Sequence, residues 1–212
     1  MKTYIYKAVA GVCSLMLLMS SCESFLSEEP KDFLSPENLP NTEAECNMLL
    51  MGSLSYWRSN NFERHINFIA EATTDAVVSA TANNVARDEM NSLTWQSDNE
   101  SLYACINASN IMIEKVPNAS KVSDEVKTRY VAAARYMRAM SYFYLVRIFN
   151  DVIYLDTPVN DFTSANNMTK TPAKEIYNKI VEDLEYAEAN LPVKWDSGTE
   201  RPTVAAAKSL LS

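Results

Sequence analysis

The sequence predicts a mostly α-helical protein made of tetratricopeptide-like helix pairs, with long polar loops between some of them. Three observations carry this. Apolar residues recur at intervals of three and four through several stretches, the period of a one-sided helix. Capping residues open these stretches and Pro or Asn closes them. Only three of the 212 residues are glycine, too few for a turn-dense β-sandwich or a Gly-rich phosphate loop. No clean 34-residue repeat is visible, so the periodicity supports helix pairs and nothing sharper.

The elements follow in order. Residues 1–21 have the layout of an export signal: Lys2 and Lys7, then an apolar run of 12 residues from Ala8 to Met19. A membrane-spanning helix needs about 20, so this run is a targeting segment. Met19-Ser20-Ser21-Cys22 places small residues before a thiol, in the manner of a bacterial lipobox, which makes Cys22 the expected lipidation site. Acyl chains contribute about 0.8 kcal/mol per buried CH₂, so several on one cysteine hold a protein at a membrane. Residues 22–40 read as an acidic, Ser- and Pro-containing tether.

Residues 41–212 read as one helical domain. Thr42 and Glu45 are spaced as a capping box, ahead of the stripe Cys46, Leu49, Leu50, Leu54 and Trp57. A second helical stretch lies between Phe62 and Val78. Ser79 to Ser101 loses the period and gains Asn, Asp and Thr, which predicts a long connection of the kind that often carries function. Leu102, Ile106, Ile113 and Val116 mark a third helix closed by Pro117 and Asn118. Ser123 caps the longest helix, about Asp124 to Phe149, with the stripe Val126, Tyr130, Ala134, Met137, Tyr144 and Ile148. A short extended run, Val152 to Leu155, follows the stop at Asn150-Asp151. After a polar loop, Thr171 as N-cap and Pro172 as N1 start a fifth helix carrying Ile176, Ile180, Leu184, Ala187 and Leu191. Thr203 caps a sixth, which stops mid-helix at Leu210-Leu211, so the chain reads as truncated.

The charge excludes some functions. The chain has a formal net charge of −8, and without its signal keeps 17 basic against 27 acidic residues, or −10. Such a surface repels phosphate backbones, so nucleic acid is not an expected partner. His65 is the only histidine, which rules out a zinc site assembled from histidines. Glu71 and Asp75, four apart, are the one carboxylate pair with any claim to glycoside hydrolysis. A solvated acidic face explains them better, and no catalytic residue, metal or cofactor is expected. Cys46 and Cys105 lie on apolar helix faces, and two buried free thiols are favoured over a disulfide. The aromatic residues Tyr136, Tyr142, Phe143, Tyr144 and Phe149 read as core, and Arg135 and Arg138 as helix-packing groups.

Sugars offer apolar C–H faces to aromatic rings and hydroxyls to amide, carboxylate and guanidinium groups. The stretch around Asp75, Arg87, Trp95, Gln96, Asp98 and Asn99 combines these types. Trp95 is the candidate platform, with Asp75, Arg87 and Asn99 as polar partners. The other reading of Trp95 is a core residue plugging helix ends.

Four places, in order, carry a resemblance. They are Cys22-Glu23-Ser24-Phe25-Leu26 with Pro30; Leu102 to Asn110; Ala134 to Val152, with its Ala134-Arg135 and Arg138-Ala139 steps; and Glu175-Ile176-Tyr177 through Leu191-Pro192 to the Ala-rich Arg201 to Leu211. Together they resemble the N-terminal portion of SusD/RagB-like nutrient-binding outer-membrane lipoproteins. Asn150 and Tyr154 depart from that pattern, standing where Gly and Pro are usual. The resemblance implies a surface-exposed, palmitate-bearing lipoprotein of the outer membrane that is not an enzyme. It would bind oligosaccharide or another nutrient and pass it to a SusC-like TonB-dependent transporter. The alternative is a tetratricopeptide-like scaffold for other envelope proteins.

Overall fold

The computed structural model describes residues 40–58, 92–159, 168–196 and 201–212, and of residues 92–99 only the helix they form. These residues belong to one compact unit, Leu39–Ser212. The expected signal, Cys22 and most of the tether lie outside the described residues, as do the helix expected between Phe62 and Val78, His65, Glu71, Asp75 and Arg87.

Five α-helices are described: α1 (Glu43–Trp57), α2 (Ser92–Lys115), α3 (Asp124–Phe149), α4 (Ala173–Asn190) and α5 (Val204–Leu211). No strand occurs among the described residues, only a single antiparallel bridge between Val152 and Thr171. The helices pack in sequence order, α1 on α2, α2 on α3, α3 on α4 and α4 on α5. This is the mostly helical, paired architecture that the sequence predicts.

Local chemistry explains the starts. The Thr42 hydroxyl accepts from the Glu45 amide, and the Glu45 carboxylate accepts from the amides of Asn41 at 2.6 Å and Thr42 at 2.8 Å. This reciprocal capping box satisfies N–H groups that have no partner inside the helix. Those backbone hydrogen bonds hold the Glu45 carboxyl below its usual pKa. Ser123 accepts from the Val126 amide, with Asp124 and Glu125 in the favourable first turn of α3.

Two expectations need correction. α2 begins at Ser92, a full ten residues before Leu102, so residues 92–101 are helical rather than part of a connection. Ser, Thr, Asn and Asp are weak helix formers, but the stretch continues a helix already nucleated by packing. α4 begins at Ala173, with Pro172 rather than Thr171 at the N-cap. Proline offers no capping side chain, and the Asp151 carboxylate does the work from a distance, accepting from the Ala173 amide at 2.9 Å.

α3 is the central helix. Val131 to Ala134, Met137 to Ala139, and Leu145 with Val146 are all buried, because α2 covers one side and α4 the other. The burial is therefore wider than the single stripe expected. Tyr142, off that stripe, is the largest fully buried side chain, while Tyr144 is only half-buried. Tyr136, Phe143, Tyr144 and Phe149 pack against the core around Tyr142, as expected of an aromatic cluster at helical spacing. Cys46 and Cys105 are free and buried, and burial pushes both thiols up to about 11.

α3 ends at Asn150, whose φ of 62° and ψ of −107° lie in a region that glycine populates readily and other residues rarely. The Asn150 side-chain amide donates to Asp151 at 3.0 Å, the same carboxylate oxygen that caps α4. The strained residue thus sits beside the group that begins the next helix.

Candidate functional site

The polar chemistry of the described residues concentrates on α2. Tyr103, Asn107 and Asn110 are spaced by four and three, which puts them on one helical face. Against that face lies an extended strap, residues 152–159. The Tyr103 hydroxyl donates to the Ile153 carbonyl at 2.9 Å. Asn107 makes a two-way pair with Val159, donating to its carbonyl at 3.0 Å and accepting from its amide at 2.7 Å. Asn110 donates to the carbonyls of Leu155 at 2.9 Å and Thr157 at 3.1 Å. From α3, the Tyr142 hydroxyl accepts from the Leu155 amide at 2.6 Å and donates to its carbonyl at 3.2 Å. Burial raises the hydroxyl pKa of Tyr103 to about 12 and that of Tyr142 well above its ordinary value, so both remain neutral donors.

Beneath the strap is a buried charge pair. Arg138 on α3 donates from Nε and Nη2 to the two carboxylate oxygens of Asp183 on α4, at 2.7 and 2.8 Å. Its Nη1 donates to Asn110 Oδ1 at 2.8 Å. Arg138 is 7% exposed and Asp183 4%. Burial works against the guanidinium charge, but the hydrogen bonds and charge of Asp183 outweigh it, and the pKa lies above the ordinary arginine value. Arg135 approaches the same carboxylate at 3.7 Å and lies over the Tyr186 ring at 4.2 Å. Both arginines fix helix packing, the role expected of them.

A second feature is a cleft of about 260 Å³ between α1, α3 and α5, lined by Leu54, Trp57, Tyr136, Met140, Arg201 and Ala206. It is apolar apart from Arg201, whose guanidinium donates to Asn47 and lies over the Trp195 ring at 5.3 Å. Its shortage of polar groups suits an apolar contact better than a sugar. Among the described residues no three His, Cys, Asp or Glu side chains gather into a possible metal site, and no helix is long and apolar enough to cross a membrane.

Of the four candidate ligand residues, positions 95 and 99 fall on the first two turns of α2, not on a loop. Asp75 and Arg87 lie outside the described residues. The clamp residues Tyr103, Asn107 and Asn110 were not among those candidates. Their spacing was the available signal, although nothing local names a partner some 45 to 52 residues away.

The class of protein that these features define is a paired-helix scaffold. Residues 24–212 match a SusD-like family model described as "Starch-binding associating with outer membrane". The chain belongs to the SusD-like family. It is 32% identical over 189 residues to SusD-like protein P2 of Formosa agariphila, covering 84% of this chain and 37% of that relative. A SusD superfamily protein from Bacteroides vulgatus superimposes with a TM-score of 0.71 at 19% identity, over 80% of this chain and 38% of that one. A laminarin-binding SusD-like protein superimposes with a TM-score of 0.67 at 22% identity, over 81% and 39%. The chain thus spans little more than a third of the length of these proteins.

Proposed function

We propose that this chain is the N-terminal part of a non-catalytic surface lipoprotein that captures glycan. It is anchored through acylated Cys22 and hands its cargo to a SusC-like TonB-dependent transporter in the outer membrane. The observation that carries this reading is the family match over residues 24–212, described as starch-binding and associated with the outer membrane. A structural neighbour that binds laminarin supports oligosaccharide as the ligand class. The ligand residues in this proposal remain Trp95, Asp75, Arg87 and Asn99, two of them at positions on the first turns of α2.

The alternative, a scaffold binding partner peptides in a helical groove, has less support. The amide face of α2 suited to gripping an extended peptide is already filled by the chain's own residues 152–159. Isothermal titration of a panel of glucans, xylans and peptides separates the readings. Heat with at least one glycan, together with co-purification of a large outer-membrane barrel protein, is the expected result. Silence across the glycans with heat from peptides would overturn it. Radiolabelled palmitate should enter the wild-type protein but not Cys22→Ala.

A further inference from the structure

We infer that Tyr103, Asn107, Asn110 and Tyr142 form a main-chain-reading clamp from which the strap 152–159 can open separately, with Arg138 setting the clamp through Asn110. This goes beyond glycan capture and does not depend on it.

The first observation is what the clamp reads. Four side chains make seven hydrogen bonds to the strap, and every one ends on a backbone N–H or C=O. Among the described residues, the strap's regular backbone pairing to the rest of the fold is the single Val152–Thr171 bridge at its start. The outward residues Asp156 and Thr157 are exposed, while Val152 and Leu155 are buried. Ile153, Tyr154 and Val159 also pack against the core, so side-chain contacts and not a backbone ladder hold the strap, and a segment without a ladder has a lower opening free energy than the helices beneath it.

The second observation is how Asn110 is oriented. A guanidinium only donates and a carbonyl only accepts, so Asn110 must turn Oδ1 to Arg138 and Nδ2 to Leu155 and Thr157. A reversed amide would set donor against donor and oxygen against two carbonyls. Arg138 is in turn locked by both oxygens of Asp183. The line from Asp183 through Arg138 and Asn110 to the strap is continuous, and Arg138, which bonds to no strap atom, is a positioning residue for it.

Hydrogen exchange of the whole chain, read by mass spectrometry on peptides covering 152–159 and the centre of α3, tests this. Asn107→Ala removes the two-way pair at the strap's outer end. Asn110→Asp keeps the contact to Arg138 but donates nothing to the carbonyls. Arg138→Lys keeps the charge beside Asp183 but frees the Asn110 amide to turn. Each should raise exchange in 152–159 by about 10-fold or more, with α3 within about 2-fold of wild type. Asp156→Ala and Thr157→Ala should leave the strap at wild-type exchange, since the clamp does not touch their side chains. The inference is overturned if Asn107→Ala leaves strap exchange unchanged, or if strap and α3 rise together in every variant. If either buried variant fails to fold, Asn107→Ala at the half-buried end still decides the matter, and strap exchange in the Arg138 variant at the wild-type rate refutes its positioning role.

Discussion

At the scale of single residues, two positions hold stored or balanced energy. Asn150 carries a side chain at φ 62° and ψ −107°, a conformation that glycine adopts without strain. Asn150→Gly should therefore raise stability by about 1 kcal/mol, seen as an increase in Tm of about 2–4 °C. A lower Tm would mean that the exposed hydrogen bond to Asp151 outweighs the backbone strain. Asp183 faces the opposite situation. Its carboxylate is the counter-charge of a buried guanidinium, and removing one partner of such a pair leaves an uncompensated charge. Asp183→Asn should cost about 3–5 kcal/mol in urea unfolding. A loss below about 1 kcal/mol would show that the oxygens of Asn110 and of the new amide can hold Arg138 without the carboxylate charge. The roles of these residues differ in how far the sequence revealed them. Arg138 reads correctly as a packing group because its chemistry demands paired acceptors. Its depth and its partner 45 positions away are tertiary facts that no local pattern contains.

At the scale of elements, the helix starts divide into local and remote ones. The α1 capping box lies within five residues, so Thr42 and Glu45 announce it in the sequence. The cap of α4 comes from Asp151, 22 positions before Ala173, and the sequence assigns it wrongly to Thr171. The start of α2 is missed for another reason: residues 92–101 lack an apolar period, and propensity yields to the helix they extend. The capping box also has a pH signature. The folded pKa of Glu45 is depressed by the amides of Asn41 and Thr42 below the ordinary value of 4.5. Its contribution is thus fully present above about pH 4.5 and lost as pH falls through the folded value. Thermal melts from pH 7 to pH 3 should show Glu45→Gln less stable than wild type at neutral pH, with the gap closing as pH falls below 4.5. A gap that stays constant with pH would mean that the carboxylate charge contributes nothing.

At the scale of the whole molecule, the architecture was more legible than the site. Periodic stripes, caps and four ordered motifs specify a paired-helix scaffold of the SusD-like family, and the family match agrees over residues 24–212. A ligand surface is harder to read, because it needs side chains from distant segments to converge. Trp95 and Asn99 fall on the first turns of α2, while Asp75 and Arg87 belong to the stretch preceding it.

Affinity electrophoresis through gels containing laminarin, starch or xyloglucan, comparing the wild-type chain with Trp95→Ala, tests the proposed glycan capture most directly. At least one glycan should slow the wild-type protein, and the substitution should weaken that retardation, because it removes the ring on which the sugar would stack. Equal retardation of both proteins, or unchanged wild-type mobility in every glycan, would contradict the account.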